Sequence, residues 1–115
     1  MVFSDIAKIL MENAALFGID LNAKDGYGLS PFLWACNHPN IDRVNLFMEN
    51  ATNWGIDLNA EASNYHKNVT GFHLACRNGH TNVVNIFLKN AANFNIDLNR
   101  KSIDGYTGFN LACKN

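Results

Sequence analysis

The stretch 70–80, TGFHLACRNGH, sets His73, Cys76 and His80 three and seven positions apart. On a helix that spacing brings all three to or near one face. Imidazole and thiolate are the usual zinc ligands, so the chemistry this pattern suggests first is a metal-binding helix.

The same stretch has echoes that argue against that chemistry. SPFLWACNHPN runs from 30 to 40 and TGFNLACKN from 107 to 115. His73 is replaced by Leu33 and Asn110, and His80 by Asn40, whereas the Ala-Cys pair returns as Ala35-Cys36 and Ala112-Cys113. The copies keep small side chains and lose the ligands. Small residues at a fixed place let helices approach closely, and free cysteine serves there as a small hydrophobe. No metal and no cofactor are expected.

A second phrase recurs with the first: GIDLNA at 18 and 55, NIDLNR at 95. Asn22 to Asn59 spans 37 residues and Asn59 to Asn99 spans 40, while Ser30 to Thr70 spans 40 and Thr70 to Thr107 spans 37. Only a three-residue insertion between Asn59 and Thr70 satisfies all four spacings. Two phrases sharing one period mark a repeat architecture.

Within one repeat, Thr70 reads as an N-cap, with Ser30 and Thr107 as equivalents. Pro31 suits a first helical position, and Gly79 suits a C-terminal stop. Phe72, Leu74, Ala75 and Cys76 form a short apolar helix. Val83, Val84, Phe87, Leu88, Ala91 and Phe94 then recur at three and four, an amphipathic second helix whose stripe reads as core. Its counterparts are Val44, Phe47, Met48, Ala51 and Trp54, and Ala7, Leu10, Met11, Ala14 and Phe17. The DGYG and DGYT segments carry the chemistry of a hairpin-like turn. Neither helix can bury its apolar face alone, so stacking must do it.

Composition agrees. The 115 residues are 48% hydrophobic and 17% charged, enough for one folded domain with a modest core. A net charge of −1 gives no electrostatic footprint for nucleic acid or an anionic membrane. Three widely spaced cysteines form no disulfide framework, and a reducing, intracellular and cytoplasmic setting is the simpler reading. The N-terminal apolar run is broken by Asp5, Lys8 and Glu12, so it reads neither as a signal peptide nor as a membrane span. Nucleophile, P-loop and dinucleotide motifs are missing, and no enzyme is expected.

With these features the chain resembles the ankyrin repeat family. The family signature T-P-L-H-x-A is visible as SPFLWA, TGFHLA and TGFNLA, its glycine-histidine turn as Gly79-His80, and its aspartate-valine-asparagine segment as DLN at 20, 57 and 97. The likeness covers essentially the whole chain. It implies an all-α helix-turn-helix solenoid with β-hairpin or finger loops, two complete repeats flanked by two half repeats. The expected boundaries are 1–22 (a second helix), 23–59, 60–99 and 100–115 (a finger and a first helix). The resemblance also makes His73 and His80 ordinary signature residues used in local hydrogen bonding.

Departures from the family have expected consequences. The family repeat is about 33 residues, and here the extra four sit in the second helix. Gly71 and Gly108 replace the signature proline, which should loosen those helix starts. Pro39 replaces a turn glycine, so that turn should differ. Both ends look like internal repeats, which implies a longer array or ends that partners cover.

Family groove positions carried onto this sequence nominate the partner-binding residues. The first finger gives Lys24, Gly26, Tyr27 and Leu29, with Asn37 and His38 from the helix. The longer second finger gives Tyr65, His66, Lys67 and Val69, with Arg77 and Asn78. The third gives Lys101, Ile103, Asp104 and Tyr106, with Lys114. The resemblance therefore implies a protein-interaction module that binds another protein in this groove, with neither nucleic acid nor membrane as partner. The alternative is a structural spacer or a segment that self-associates end to end.

Overall fold

The computed structural model describes residues 3–38 and 40–114, without the side chains of Phe3, Ser4 and Tyr65. The Pro39 turn lies outside the described residues. Among the described residues six α-helices follow one another: α1 (Phe3–Phe17), α2 (Pro31–Asn37), α3 (Ile41–Trp54), α4 (Gly71–Asn78), α5 (Thr81–Phe94) and α6 (Gly108–Lys114), with a 3-10 turn at Asn64–His66.

The caps explain where the short helices start. Ser30 Oγ accepts from the Leu33 N–H at 3.3 Å, Thr70 Oγ1 from His73 at 3.3 Å, and Thr107 Oγ1 from Asn110 at 3.2 Å. Each satisfies one of the amides that a helix leaves unpaired at its start. Asn40 caps α3 in the same way through the Arg43 N–H. Gly55 and Asn95 end α3 and α5 in the left-handed conformation, φ 66° and 57°, which turns the chain into the IDLN segment.

Two rows result. The short helices α2, α4 and α6 stack on one another, as do the long helices α1, α3 and α5, and α2 pairs with α3 and α4 with α5. A chain of phenylalanines joins the rows: Phe47 to Phe32 at 6.1 Å, Phe32 to Phe87 at 5.9 Å, and Phe87 to Phe72 at 5.7 Å between ring centres. Phe32, Phe47 and Phe87 are fully buried, each contributing about 1.5–3 kcal/mol by leaving water.

The glycines at 71 and 108 serve this packing. A Cβ on Gly71 would lie 2.8 Å from Cys36 Sγ and 3.1 Å from the Phe87 ring, and one on Gly108 would lie 2.6 Å from the Phe72 ring. Only glycine lets the preceding repeat come this close.

The fingers are held by asparagine rungs. Asn22 Nδ2 donates to Gly55 O at 2.8 Å while its Oδ1 accepts from the Asp57 N–H at 2.8 Å. Asn59 repeats the pair with Asn95 O (3.1 Å) and the Asp97 N–H (2.9 Å). Among the described residues no strand forms; the single bridge pairs Glu61 with Thr70. The turns also correct the apparent match of DGYG with DGYT. Asp25 N donates to Leu29 O and Ser102 N to Tyr106 O, so Asp25 corresponds to Ser102 and Leu29 to Tyr106. The two phrases are offset by two positions in the fold.

Candidate partner-binding surface

The finger tips and short helices share one surface because finger residues bond directly to helix residues. In the first finger the Asp25 carboxylate accepts from the Tyr27 N–H (2.9 Å), the Leu29 N–H (3.1 Å) and the Trp34 indole. The indole bond, ahead of the backbone bonds, holds the Asp25 carboxyl below its ordinary pKa. Trp34 is thereby fixed as a shelf, with His38 stacked on it at 4.7 Å and Tyr27 edge-on at 6.2 Å. Tyr27 and His38 are exposed.

In the second finger the three-residue insertion forms the 3-10 turn at Asn64–His66. Its tip is tied to both neighbours. Ser63 N donates to Gly28 O at 3.0 Å and Asn64 Nδ2 to Gly26 O at 3.1 Å, while Lys67 O accepts from the Ile103 N–H at 3.0 Å. Lys67 Nζ pairs with Asp104 at 3.0 Å. Burial, and then the nearby Arg77 charge, lower the His66 pKa. In the third finger, Lys114 Nζ lies 4.6 Å from the Tyr106 ring centre and 3.3 Å from its hydroxyl. Lys24, Lys101 and Ile103 are exposed.

Not every nominated residue reaches this surface. Leu29 is 2% exposed and Val69 4%, and both belong to the core. They precede the N-caps Ser30 and Thr70, a position at which an apolar side chain packs onto its helix. Neither can touch a partner. Asn37 and Asn78 are bonded to each other, Nδ2 of Asn78 to Oδ1 of Asn37 at 2.9 Å. The Tyr65 side chain lies outside the described residues. Trp34, in contrast, is half-exposed and central to the shelf, yet the groove positions omit it. Its equivalents Leu74 and Leu111 are buried, so the repeat pattern marks position 34 as core.

Both histidines of the opening stretch are engaged between repeats; His73 is also bonded locally, whereas the His80 side chain makes no cap bond at the start of α5. His73 Nδ1 accepts from the Thr70 N–H at 2.9 Å, and its Nε2 faces Tyr106 O at 3.0 Å, 33 residues away. His80 Nε2 faces Asn37 O at 3.1 Å. Cys76 is buried, and burial pushes its thiol pKa up. Among the described residues no three His, Cys, Asp or Glu side chains could share a metal ion. No helix among them is long and apolar enough to cross a membrane.

The family model for ankyrin repeats, in three copies, matches residues 3–97. The chain belongs to the ankyrin repeat family. Ankyrin repeats are generally protein–protein interaction modules. No curated protein matches the chain. In ankyrin terms, α2, α4 and α6 are first helices and α1, α3 and α5 second helices.

Proposed function

We propose that this ankyrin chain binds a protein partner across its finger tips and first helices, and that the partner segment is acidic. The observation that carries this is the Tyr27–Trp34–His38 shelf set in a cationic surface. The fingers and first helices carry Lys24, Lys67, Arg77, Arg100, Lys101 and Lys114 against Asp25, Glu61 and Asp104, a balance of +3 in a chain of net −1. The three carboxylates are already engaged, by Trp34, Arg100 and Lys67. Exposed aromatic residues with arginine nearby are the usual anchors of a protein interface, and a one-signed surface steers an opposite-signed partner.

The test is selection from a random peptide library displayed on phage. Acidic sequences should be enriched. Tyr27→Ala combined with Arg77→Ala should weaken the selected peptides by at least about 2 kcal/mol, the hot-spot threshold, with the melting temperature nearly unmoved. Enrichment of neutral or basic peptides, or full binding by the double variant, would remove the reading.

A further inference from the structure

We propose that Asn78 is a site of spontaneous covalent modification, at which water turns the side-chain amide into a carboxylate through a cyclic imide with the Gly79 nitrogen, and that the joint between α2 and α4 sets the rate. Asn78 is the one asparagine that precedes a glycine within the 115 residues. Glycine has no Cβ, so nothing shields its nitrogen from the asparagine Cγ one residue back. The equivalent step of the first repeat is His38-Pro39, which has neither a side-chain amide nor a backbone N–H to react.

This chain and water supply every atom of the reaction. The Gly79 nitrogen attacks Asn78 Cγ and closes a succinimide ring. The Cγ–Nδ2 bond breaks, and Nδ2 leaves as ammonia with the proton that the Gly79 nitrogen has given up. Water then adds to either ring carbonyl. One opening leaves aspartate at position 78, and the other leaves isoaspartate, with the main chain routed through the former side chain.

Two sets of contacts hold the reacting atoms apart in the folded chain. Asn78 is exposed, so water reaches it. Its Nδ2, however, donates to Asn37 Oδ1 at 2.9 Å and to Asn37 O at 3.4 Å, which ties the side chain to α2. Gly79 closes α4 in the left-handed conformation, φ 71°, with its N–H on the Ala75 and Cys76 carbonyls. A proton held by two carbonyls is slow to leave, and the nitrogen cannot turn to Cγ until the last turn of α4 opens. Such local openings cost less free energy than global unfolding.

The product cannot remake the joint. A carboxylate has only acceptor oxygens, so at position 78 it faces Asn37 O and Oδ1 with nothing to donate. His80 Nε2, 3.1 Å from Asn37 O, remains as the other link between the two repeats. Isoaspartate also lengthens the main chain beside the Gly79 cap. The change is one-way, a record of the time that the joint has spent open. On the acidic-partner reading, on which this consequence alone rests, the new charge beside Arg77 lowers the +3 balance of the groove by one.

Peptide mass spectrometry of the full chain, incubated folded and in urea at one pH and temperature, tests this. In urea Asn78 should convert first among the asparagines, giving two products of equal mass that separate by chromatography. The folded chain should convert at least about tenfold more slowly, the suppression that an opening free energy of about 1.4 kcal/mol gives. Asn37→Ala, which removes the Oδ1 acceptor, should speed the folded reaction severalfold and leave the urea rate unchanged. Gly79→Ala should slow the reaction in urea, where folding plays no part. Asn78 left intact in urea overturns the proposal. So do equal rates in the folded and unfolded chains, or a folded rate that Asn37→Ala does not raise, since either means that the joint does not control the chemistry.

Discussion

His73 offers the sharpest test of how one repeat is fixed to the next. Its ring is 1% exposed and bonds at both nitrogens. Because Nδ1 accepts from the Thr70 N–H, the proton sits on Nε2, which donates to Tyr106 O. His73→Ala removes the capping contact, worth about 1 kcal/mol. It takes one of two donors from the Tyr106 carbonyl, which keeps the Ser102 N–H, a loss of about 0.5–1.5 kcal/mol, and opens a cavity costing roughly another 1–2 kcal/mol. The expected loss is about 2.5–4.5 kcal/mol. His73→Asn should cost less, about 2 kcal/mol from the far hydrogen bond and lost volume. Asn110 shows why: at the same position its Oδ1 accepts from the Thr107 N–H at 3.0 Å, so asparagine keeps the cap.

The same geometry sets a pH dependence. Burial, opposed by the Tyr106 carbonyl, lowers the His73 pKa below the ordinary 6.5. A protonated ring would point an Nδ1–H at the Thr70 N–H. The unfolded chain therefore binds the proton more readily than the folded one. The stability that the neutral ring contributes is present above pH 6.5 and is lost as pH falls through the folded-state value. His66, also lowered, acts in the same direction, so the readout is a difference between proteins. Urea unfolding of wild type and His73→Asn at neutral pH and below the histidine range should show the gap narrowing in acid. A gap of constant size would refute the linkage, and equal losses for Ala and Asn would refute the capping role.

Gly71→Ala should destabilise by about 1–3 kcal/mol through overpacking, because its Cβ would lie 2.8 Å from Cys36 Sγ; Gly26→Ala, with nothing within 4 Å, serves as the near-neutral control in thermal melts. Asn59→Ala should cost about 1–2 kcal/mol for its two cross-repeat hydrogen bonds, whereas Asn99→Ala should leave the melting temperature of the dilute chain unchanged. Equal effects at the two asparagines would mean that the rung is not a joint.

The sequence exposes what recurs and hides what a recurrent residue touches. The period, the caps Ser30, Thr70 and Thr107, and the paired helices are legible because each rests on residues only a few positions apart. The rungs were not. Asn22, Asn59 and Asn99 read as one motif, yet among the described residues two are clasped to a neighbour and the third is not. Only the stack distinguishes them, because the groups they bond lie a whole repeat away. Position 34 shows the same limit from the other side. The repeat pattern assigns a buried leucine there, as at Leu74 and Leu111. Tryptophan is too large for that slot and half emerges, where the Asp25 carboxylate orients its indole. Leu29 and Val69 go the opposite way, from nominated contacts to core, since an apolar residue before a cap turns inward. A repeat protein thus writes its fold in the residues that its copies share, and its contacts in those where one copy departs. Trp34 and the inserted finger are such departures, and the Tyr27–Trp34–His38 shelf is built on the first of them.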